Sequence, residues 1–93
     1  MTHARAVALT GSDQAVRADA SIYCGFTIRE TAGAAAVVVI YDHASAASGT
    51  ILEQISLAAN ESRGECYPGG IWAVNGIYVD VVSGAVAGSV RIG

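Results

Sequence analysis

The sequence contains no lysine, one proline and two histidines, and charged residues make up only 14% of its 93 positions. Disorder goes with high charge and low hydrophobicity, whereas hydrophobic residues here reach 53%, so we expect a folded chain. With 5 basic and 8 acidic residues the net charge is −3, and the five arginines are spread along the chain. Binding of nucleic acid through phosphate neutralisation is therefore not expected. Length and composition together predict one small domain.

Long hydrophobic runs are also missing. The longest, residues 34–41, is far shorter than the roughly 20 residues that a membrane-spanning helix needs. Residues 1–9 lack the basic region followed by an apolar stretch that marks a signal peptide, because Arg5 interrupts the apolar positions. We therefore expect neither export by this route nor insertion into a membrane.

Cysteine and histidine are too few and too widely spaced for a zinc site. Cys24, Cys66, His3 and His43 form no CxxC or HxxxH pair, and we expect no metal and no cofactor. The two cysteines allow one disulfide at most, and without an export signal free thiols are favoured. Cys24 alternates with apolar residues, which predicts a buried position in the core.

Alternation of apolar and polar residues with a period of two is the dominant pattern, and it indicates β-strands. It is clearest over residues 21–30, whose predicted core face comprises Ile22, Cys24, Phe26 and Ile28. Residues 35–41 are apolar on both faces and rich in valine, which predicts a central, buried strand.

Residues 50–57 allow two interpretations. In a helix, Thr50 and Glu53 would form a capping box. In a strand, Glu53 would lie on a face of otherwise apolar residues. We favour the strand because the neighbouring segments are all strands.

The remaining strands are predicted at residues 71–74, 77–82 and 85–92, with weaker ones at 4–9 and 14–17. Asn75-Gly76 predicts a type I′ hairpin between two of them, and the charged residues 60–65 predict an exposed loop. About eight strands at this spacing predict an all-β fold, an antiparallel β-sandwich that is Ig-like or jelly-roll-like. We interpret residues 1–20 as an N-terminal arm or edge strands and residues 21–93 as the core of the sandwich.

No catalytic motif is present. Asp42, His43 and Ser45 have the residue types of a catalytic triad, but neighbours in one loop cannot readily reach triad geometry. Glu61 and Glu65 could serve acid–base chemistry, but they lie in the most charged stretch of the chain. We interpret both groups as solvated surface and predict no catalytic residue and no enzyme.

Five residues are candidates for an interface. Arg5, Val7 and Leu9 alternate with alanines and could add as a strand to an adjacent subunit. Trp72 and Tyr67 are large and amphipathic, and an exposed tryptophan marks a contact surface or a sugar-stacking platform. Trp72 could equally cap one end of the core, and the sequence leaves both possibilities open.

Three stretches resemble small β-sandwich proteins that are encoded among the virion structural genes of tailed bacteriophages, especially those infecting actinobacteria. They are SIYCGFTIRETAGAAAVVVIYD, GTILEQISLAANES and GGIWAVNGIYVDVVSGAVAGSVRIG. The resemblance covers residues 21–93 and consists of strand and turn pattern, as in RETAGAAAVV and GIYVDVVSGAV. It implies a capsid decoration or minor virion component and gives no catalytic residue.

From this resemblance we expect a non-enzymatic virion protein that binds the phage capsid surface as a decoration or cement subunit. It would be located in the virion, after assembly in the cytoplasm of the bacterial host. Its partner would be the major capsid protein or another virion protein, and it would work as a homo-oligomer or bound to a lattice, without nucleic acid or membrane. The alternatives are a carbohydrate- or host-surface-binding module displayed on a phage particle, or a tail component.

Overall fold

A computed structural model describes residues 4–93, and within this range the chain forms strands and no helix. The all-β prediction is confirmed, and the ambiguous segment Thr50–Leu57 is a strand. The strands are β1 (Arg5–Ala8), β2 (Gln14–Arg17), β3 (Ser21–Glu30), β4 (Ala36–Asp42), β5 (Thr50–Leu57), β6 (Ser62–Ala73), β7 (Ile77–Ser83) and β8 (Val86–Ile92). In this part of the chain, no segment has the length and apolarity of a membrane-spanning helix.

The strands form two antiparallel sheets of four. One sheet has the order β1-β8-β3-β6 and the other has the order β2-β7-β4-β5. The connections between these strands pass from one sheet to the other, except for the β4–β5 hairpin. This order is that of a jelly roll, whereas an immunoglobulin sandwich pairs its first two strands in the same sheet. Of the two predicted sandwich types, the strand order therefore identifies the jelly roll.

The core lies between the sheets and is made of the inner faces of the central strands. As predicted, the valine-rich β4 is an inner strand of its sheet, between β7 and β5. Each apolar side chain buried here stabilises the fold by roughly 1.5–3 kcal/mol. The largest fully buried side chains are Tyr23, Phe26, Ile28, Val38, Ile40, Ile55, Ile77, Val79, Val90 and Ile92.

The alternation along β3 changes face at a β-bulge. The bulge lies between Tyr23 and Gly25 and interrupts the pairing of β3 with both β6 and β8. As a result Tyr23 and Phe26 are both buried in the core. The prediction that Ile22 and Cys24 lie in the core is wrong, because the bulge shifts the phase of the strand by one residue and leaves both on the outer face. Gly25 has φ +131°, which favours glycine.

The connection from β6 to β7 is not the predicted hairpin, because the two strands belong to different sheets. A type I′ turn needs positive φ at both central residues, whereas at Asn75-Gly76 only the glycine has it. A Cβ at Gly76 would lie 2.4 Å from the carbonyl oxygen of Arg17, so the glycine allows the chain to cross closely between sheets. The predicted loop at residues 60–65 is also wrong in part, since β6 begins at Ser62.

The N-terminal strands occupy sheet edges. β1 pairs with β8 and β2 pairs with β7, each in antiparallel orientation. Val7, Leu9 and Val16 pack against the core. The described part of residues 1–20 therefore contributes side chains to the sandwich.

Candidate functional site

Trp72 lies on the outer face of β6 and does not cap the core. Its side chain is 60% exposed, whereas the next residue, Ala73, is fully buried. Ile71 and Val74 are exposed by 39% and 60%. Ile71 pairs with the buried Tyr23 and therefore points to the opposite face of the strand from Trp72. We call these three exposed residues at the end of β6, Ile71, Trp72 and Val74, the Trp72 patch. The sequence identified Trp72 but not its two exposed apolar neighbours, because the edge position of β6 follows from the strand order of the sheet.

The Tyr67 side chain contacts residues between the two sheets. Its hydroxyl donates a hydrogen bond to Oε1 of Glu53 at 2.5 Å, and its ring centroid lies 6.0 Å from that of Tyr23. The hydrogen bond to Glu53 raises the pKa of Tyr67 to about 12, with a further contribution from burial. Tyr67 therefore packs against the core, while Trp72 stands in solvent, and the two predicted aromatic residues do not form one stacking platform.

A concavity of about 480 Å³ opens on the outer face between β3 and β6. Its volume falls within the range typical of small-molecule sites. None of the described residues that line it carries a charge, and two are thiols. The lining residues are Ala4, Ile22, Cys24, Cys66, Tyr67, Pro68, Gly69 and Gly93.

A wide bulge in β6 produces this concavity. Tyr23 pairs with Ile71 and Gly25 pairs with Cys66, so the four residues 67–70 stand opposite Cys24 alone. Pro68, Gly69 and Gly70 therefore form part of a bulge inside a strand. Gly69 and Gly70 have φ of +79° and +73°. At Gly70 a Cβ would also lie 2.1 Å from the Ile22 side chain.

The β1 residues proposed for an interface face mainly inward. Val7 and Leu9 pack against the core of their own sandwich, and only Arg5 is exposed. The side chains of Val7 and Leu9 are therefore partly buried within their own sandwich. What β1 offers is its backbone, because it is the terminal strand of its sheet.

The direction of the β1 backbone groups follows from one hydrogen bond. The Leu9 N–H donates to the carbonyl of Gly88 at 2.9 Å. Because backbone groups alternate in direction along a strand, the N–H and carbonyl of Ala6 and Ala8 point away from β8. The carbonyl of Ala8 already accepts a bond from the Gln14 side chain at 3.1 Å. Ala6 therefore carries the backbone pair available for strand addition.

Asp42, His43 and Ser45 do not form a triad. The Asp42 carboxylate accepts backbone N–H bonds from Val74 and Asn75 at 3.0 and 2.8 Å. Nδ1 of His43 accepts the backbone N–H of Ser45 at 3.0 Å. The prediction of solvated surface is wrong for Asp42, which ends β4 in a buried position and anchors the β6–β7 connection.

The other candidate carboxylates are also structural or solvated. Glu61 accepts the backbone N–H of Ala58 at 2.7 Å, and Glu65 is exposed on β6. Among residues 4–93 no three histidine, cysteine, aspartate or glutamate side chains come together as metal ligands. The surface features that remain are the Trp72 patch, the concavity beside it and the edge of β1.

Comparison with protein families, with curated proteins and with solved structures finds no match for this chain.

Proposed function

We propose that this protein is a non-enzymatic structural protein of a tailed-phage virion that binds the capsid surface as a decoration or cement subunit. The observation that carries the proposal is the Trp72 patch, in which Trp72 and two neighbouring apolar side chains at the end of β6 are exposed to solvent. Exposed apolar clusters of this kind mark protein–protein contacts, and tryptophan is enriched among the residues that dominate binding energy.

The fold and the sequence resemblance support the same proposal. Jelly rolls are the architecture of many viral capsid and lectin domains, although a fold alone does not define a function. The stretches that resemble phage virion proteins cover residues 21–93, which include the Trp72 patch. The partner would be the major capsid protein or another virion protein.

Two contacts would hold the subunit on such a surface. The Trp72 patch would insert into an apolar pocket of the partner, where full burial of one large side chain contributes roughly 1.5–3 kcal/mol. The edge of β1 would pair with an extended segment of the partner through backbone hydrogen bonds at Ala6. Repetition over a lattice would then raise the overall avidity.

The first test is the copy number of the protein in purified particles from its source, measured by quantitative mass spectrometry. Hundreds of copies per particle support lattice decoration. A handful of copies would assign the protein to the tail or a special vertex and contradict decoration. Complete absence from the particles would overturn the virion proposal.

The second test measures binding of the purified protein to particles that lack it. Trp72→Ala should reduce binding at least about tenfold, because it removes the central side chain of the patch. Val82→Ala is the matched control, since Val82 is 56% exposed and lies on the other sheet. Equal binding by both variants and the natural protein would contradict a role for the patch.

Exposure of Trp72 also favours a second candidate, a carbohydrate- or host-surface-binding module displayed on a particle. Tryptophan faces stack on sugar rings, and jelly rolls include lectin domains. Trp72 is the only tryptophan, so its fluorescence reports directly on any sugar bound there. Saturable quenching by a glycan, lost in Trp72→Ala, would favour this candidate over capsid decoration, whereas a flat response across a glycan panel would exclude it.

A further inference from the structure

Cys24 and Cys66 are brought together by the same bulges that form the concavity. They lie on neighbouring strands, β3 and β6, and both line the concavity on the outer face. Cys66 pairs directly with Gly25, the residue that follows Cys24. Both thiols are free in this structure.

In a regular strand pair, a disulfide could not join Cys24 and Cys66. Cys24 and Gly25 are consecutive, so they would face opposite sides of the sheet, and Cys66 would share the face of Gly25. The bulge between Tyr23 and Gly25 removes this alternation. Cys24 and Cys66 therefore share one face, which only the three-dimensional structure reveals.

The separation of the two residues suits a covalent link. Opposed Cα atoms in antiparallel strands are about 5 Å apart and consecutive Cα atoms are about 3.8 Å apart. Cys24 and Cys66 lie on adjacent strands and are offset by one residue along them, so their Cα atoms are on the order of 6 Å apart. This distance lies within the roughly 4.4–6.8 Å between Cα atoms that disulfides span. A Cβ at Gly25 would lie 3.1 Å from the Cα of Cys66, which places the two strands close together at this point.

We propose that Cys24 and Cys66 form an intramolecular disulfide across the β3–β6 pair when the protein meets a small disulfide oxidant such as oxidised glutathione. The link ties β6, which has a single strand neighbour, to the interior strand β3. It also crosses the wall of the concavity, so oxidation fixes the shape of this surface. The inference does not depend on the virion proposal.

The reaction proceeds by two thiol–disulfide exchanges. The thiolate of Cys66, the more exposed cysteine, attacks one sulfur of oxidised glutathione, forms a mixed disulfide and releases one glutathione thiolate. The thiolate of Cys24 then attacks the Cys66 sulfur and releases the second. Two protein thiols are oxidised, one glutathione disulfide is reduced, and the two protons end on the released glutathiones.

The test incubates the full chain in glutathione redox buffer, quenches it with an alkylating reagent and measures the intact mass. We expect the protein to lose two hydrogens and both alkylation sites while it stays monomeric. The equilibrium should favour the disulfide at least about tenfold more in the native protein than in denaturant, because folding holds the thiols together. A stable glutathione adduct or a disulfide-linked dimer as the main product would overturn the proposal.

Thermal unfolding gives a second readout. Oxidation should raise the Tm by about 5 °C or more, and a reductant should reverse the rise. Cys66→Ser is the control, because Cys66 is exposed and the substitution leaves the core intact. This variant should show no rise under the same conditions. A rise of equal size in Cys66→Ser, or no rise in the fully oxidised natural protein, would contradict a link that restrains β6.

Discussion

Glu53 accepts a hydrogen bond from the Tyr67 hydroxyl at 2.5 Å, which joins the edge strand β5 of one sheet to the edge strand β6 of the other. The same carboxylate oxygen accepts the hydroxyl of Tyr23 at 3.2 Å. Burial, and then the charge of Glu53, raise the pKa of Tyr23. The Glu53 carboxylate thus connects the two sheets through side-chain hydrogen bonds to two tyrosines, at a side of the sandwich where the sheets share no backbone hydrogen bonds.

We expect Tyr67→Phe to lower the free energy of unfolding by about 1–2 kcal/mol, because the change removes a hydrogen bond to a charged acceptor that is partly exposed to solvent. Tyr78→Phe is the matched control, since Tyr78 is half-buried in the other sheet, and it should change the stability little. Chemical denaturation of the three proteins measures the difference. Equal losses in both variants would show that the Glu53 contact adds nothing specific.

The same contact predicts a loss of stability at alkaline pH. The folded-state pKa of Tyr67 is raised from 10.0 to about 12, so the folded protein holds the phenol proton more tightly than the unfolded chain does. Its contribution is complete below pH 10 and is lost as the pH rises towards about 12. The Tm of the natural protein should therefore fall over this interval more steeply than that of Tyr67→Phe. An equal fall of Tm with pH in the two proteins would contradict a raised pKa of Tyr67 in the folded state.

Glu53 also shows what the sequence could and could not predict. The strand at Thr50–Leu57 follows from the pattern of its neighbours, but that assignment left a carboxylate on an apolar face without explanation. Its partners Tyr23 and Tyr67 lie on two strands of the opposite sheet, and the core face predicted for residues 21–30 does not include Tyr23. No local signal in one sequence pairs residues across the sheets.

Bulges account for most of the remaining errors. Gly25 fits a regular strand as well as a bulge, and only the second choice turns Cys24 outward. Asn75-Gly76 has the composition of a hairpin, but topology sends the chain to the other sheet. Strand number and fold class depend on many residues and could be predicted, whereas the concavity depends on two local irregularities and could not.

Glu30 ties two loops together and should make the protein sensitive to acid. Its carboxylate accepts backbone N–H bonds from Ala32, Gly33 and Asn60 at 2.6, 2.8 and 2.9 Å. These bonds, that of Asn60 most strongly, lower the pKa of Glu30 below its usual 4.5. A lowered folded-state pKa stabilises the protein above pH 4.5, and this contribution disappears as the pH falls through the folded-state value.

We therefore expect Glu30→Gln to lower the Tm at pH 7 and to have a progressively smaller effect as the pH falls below 4.5 and through the folded-state pKa of Glu30. Glu65→Gln is the control, because Glu65 is exposed on β6. It should leave the Tm nearly unchanged over the same pH range. A difference in Tm between Glu30→Gln and the natural protein that stays constant as the pH falls would contradict a stabilising role of the ionised Glu30.

Asp80 should affect stability in the opposite direction from Glu30 as the pH falls. Burial, and then the charge of Asp13, raise its pKa above the usual 3.8. The ionised Asp80 therefore opposes folding at neutral pH, and this opposition is relieved as the pH falls through the raised folded-state value. Asp80→Asn should raise the Tm at pH 7, whereas Asp19→Asn, at an exposed site, should have little effect. A lower Tm for Asp80→Asn would show that the carboxylate is needed as an acceptor.

The edge of β1 gives the sharpest test of strand addition. Deleting the first ten residues would be ambiguous, because Val7 and Leu9 pack against the core and their loss would also destabilise the sandwich. Proline at Ala6 removes only an N–H that points away from β8, so the ladder of the sheet stays intact. Ala6→Pro should therefore fold with nearly the natural Tm.

Binding to particles that lack the protein should nevertheless fall at least about tenfold in Ala6→Pro, because a carbonyl of the partner strand would lose the N–H donor of residue 6 and meet the proline ring. Ala6→Ser is the control, since it keeps the N–H and the exposed position. Reduced binding by the proline variant alone would support strand addition at β1. Natural binding by a folded Ala6→Pro would exclude it and leave the Trp72 patch as the contact.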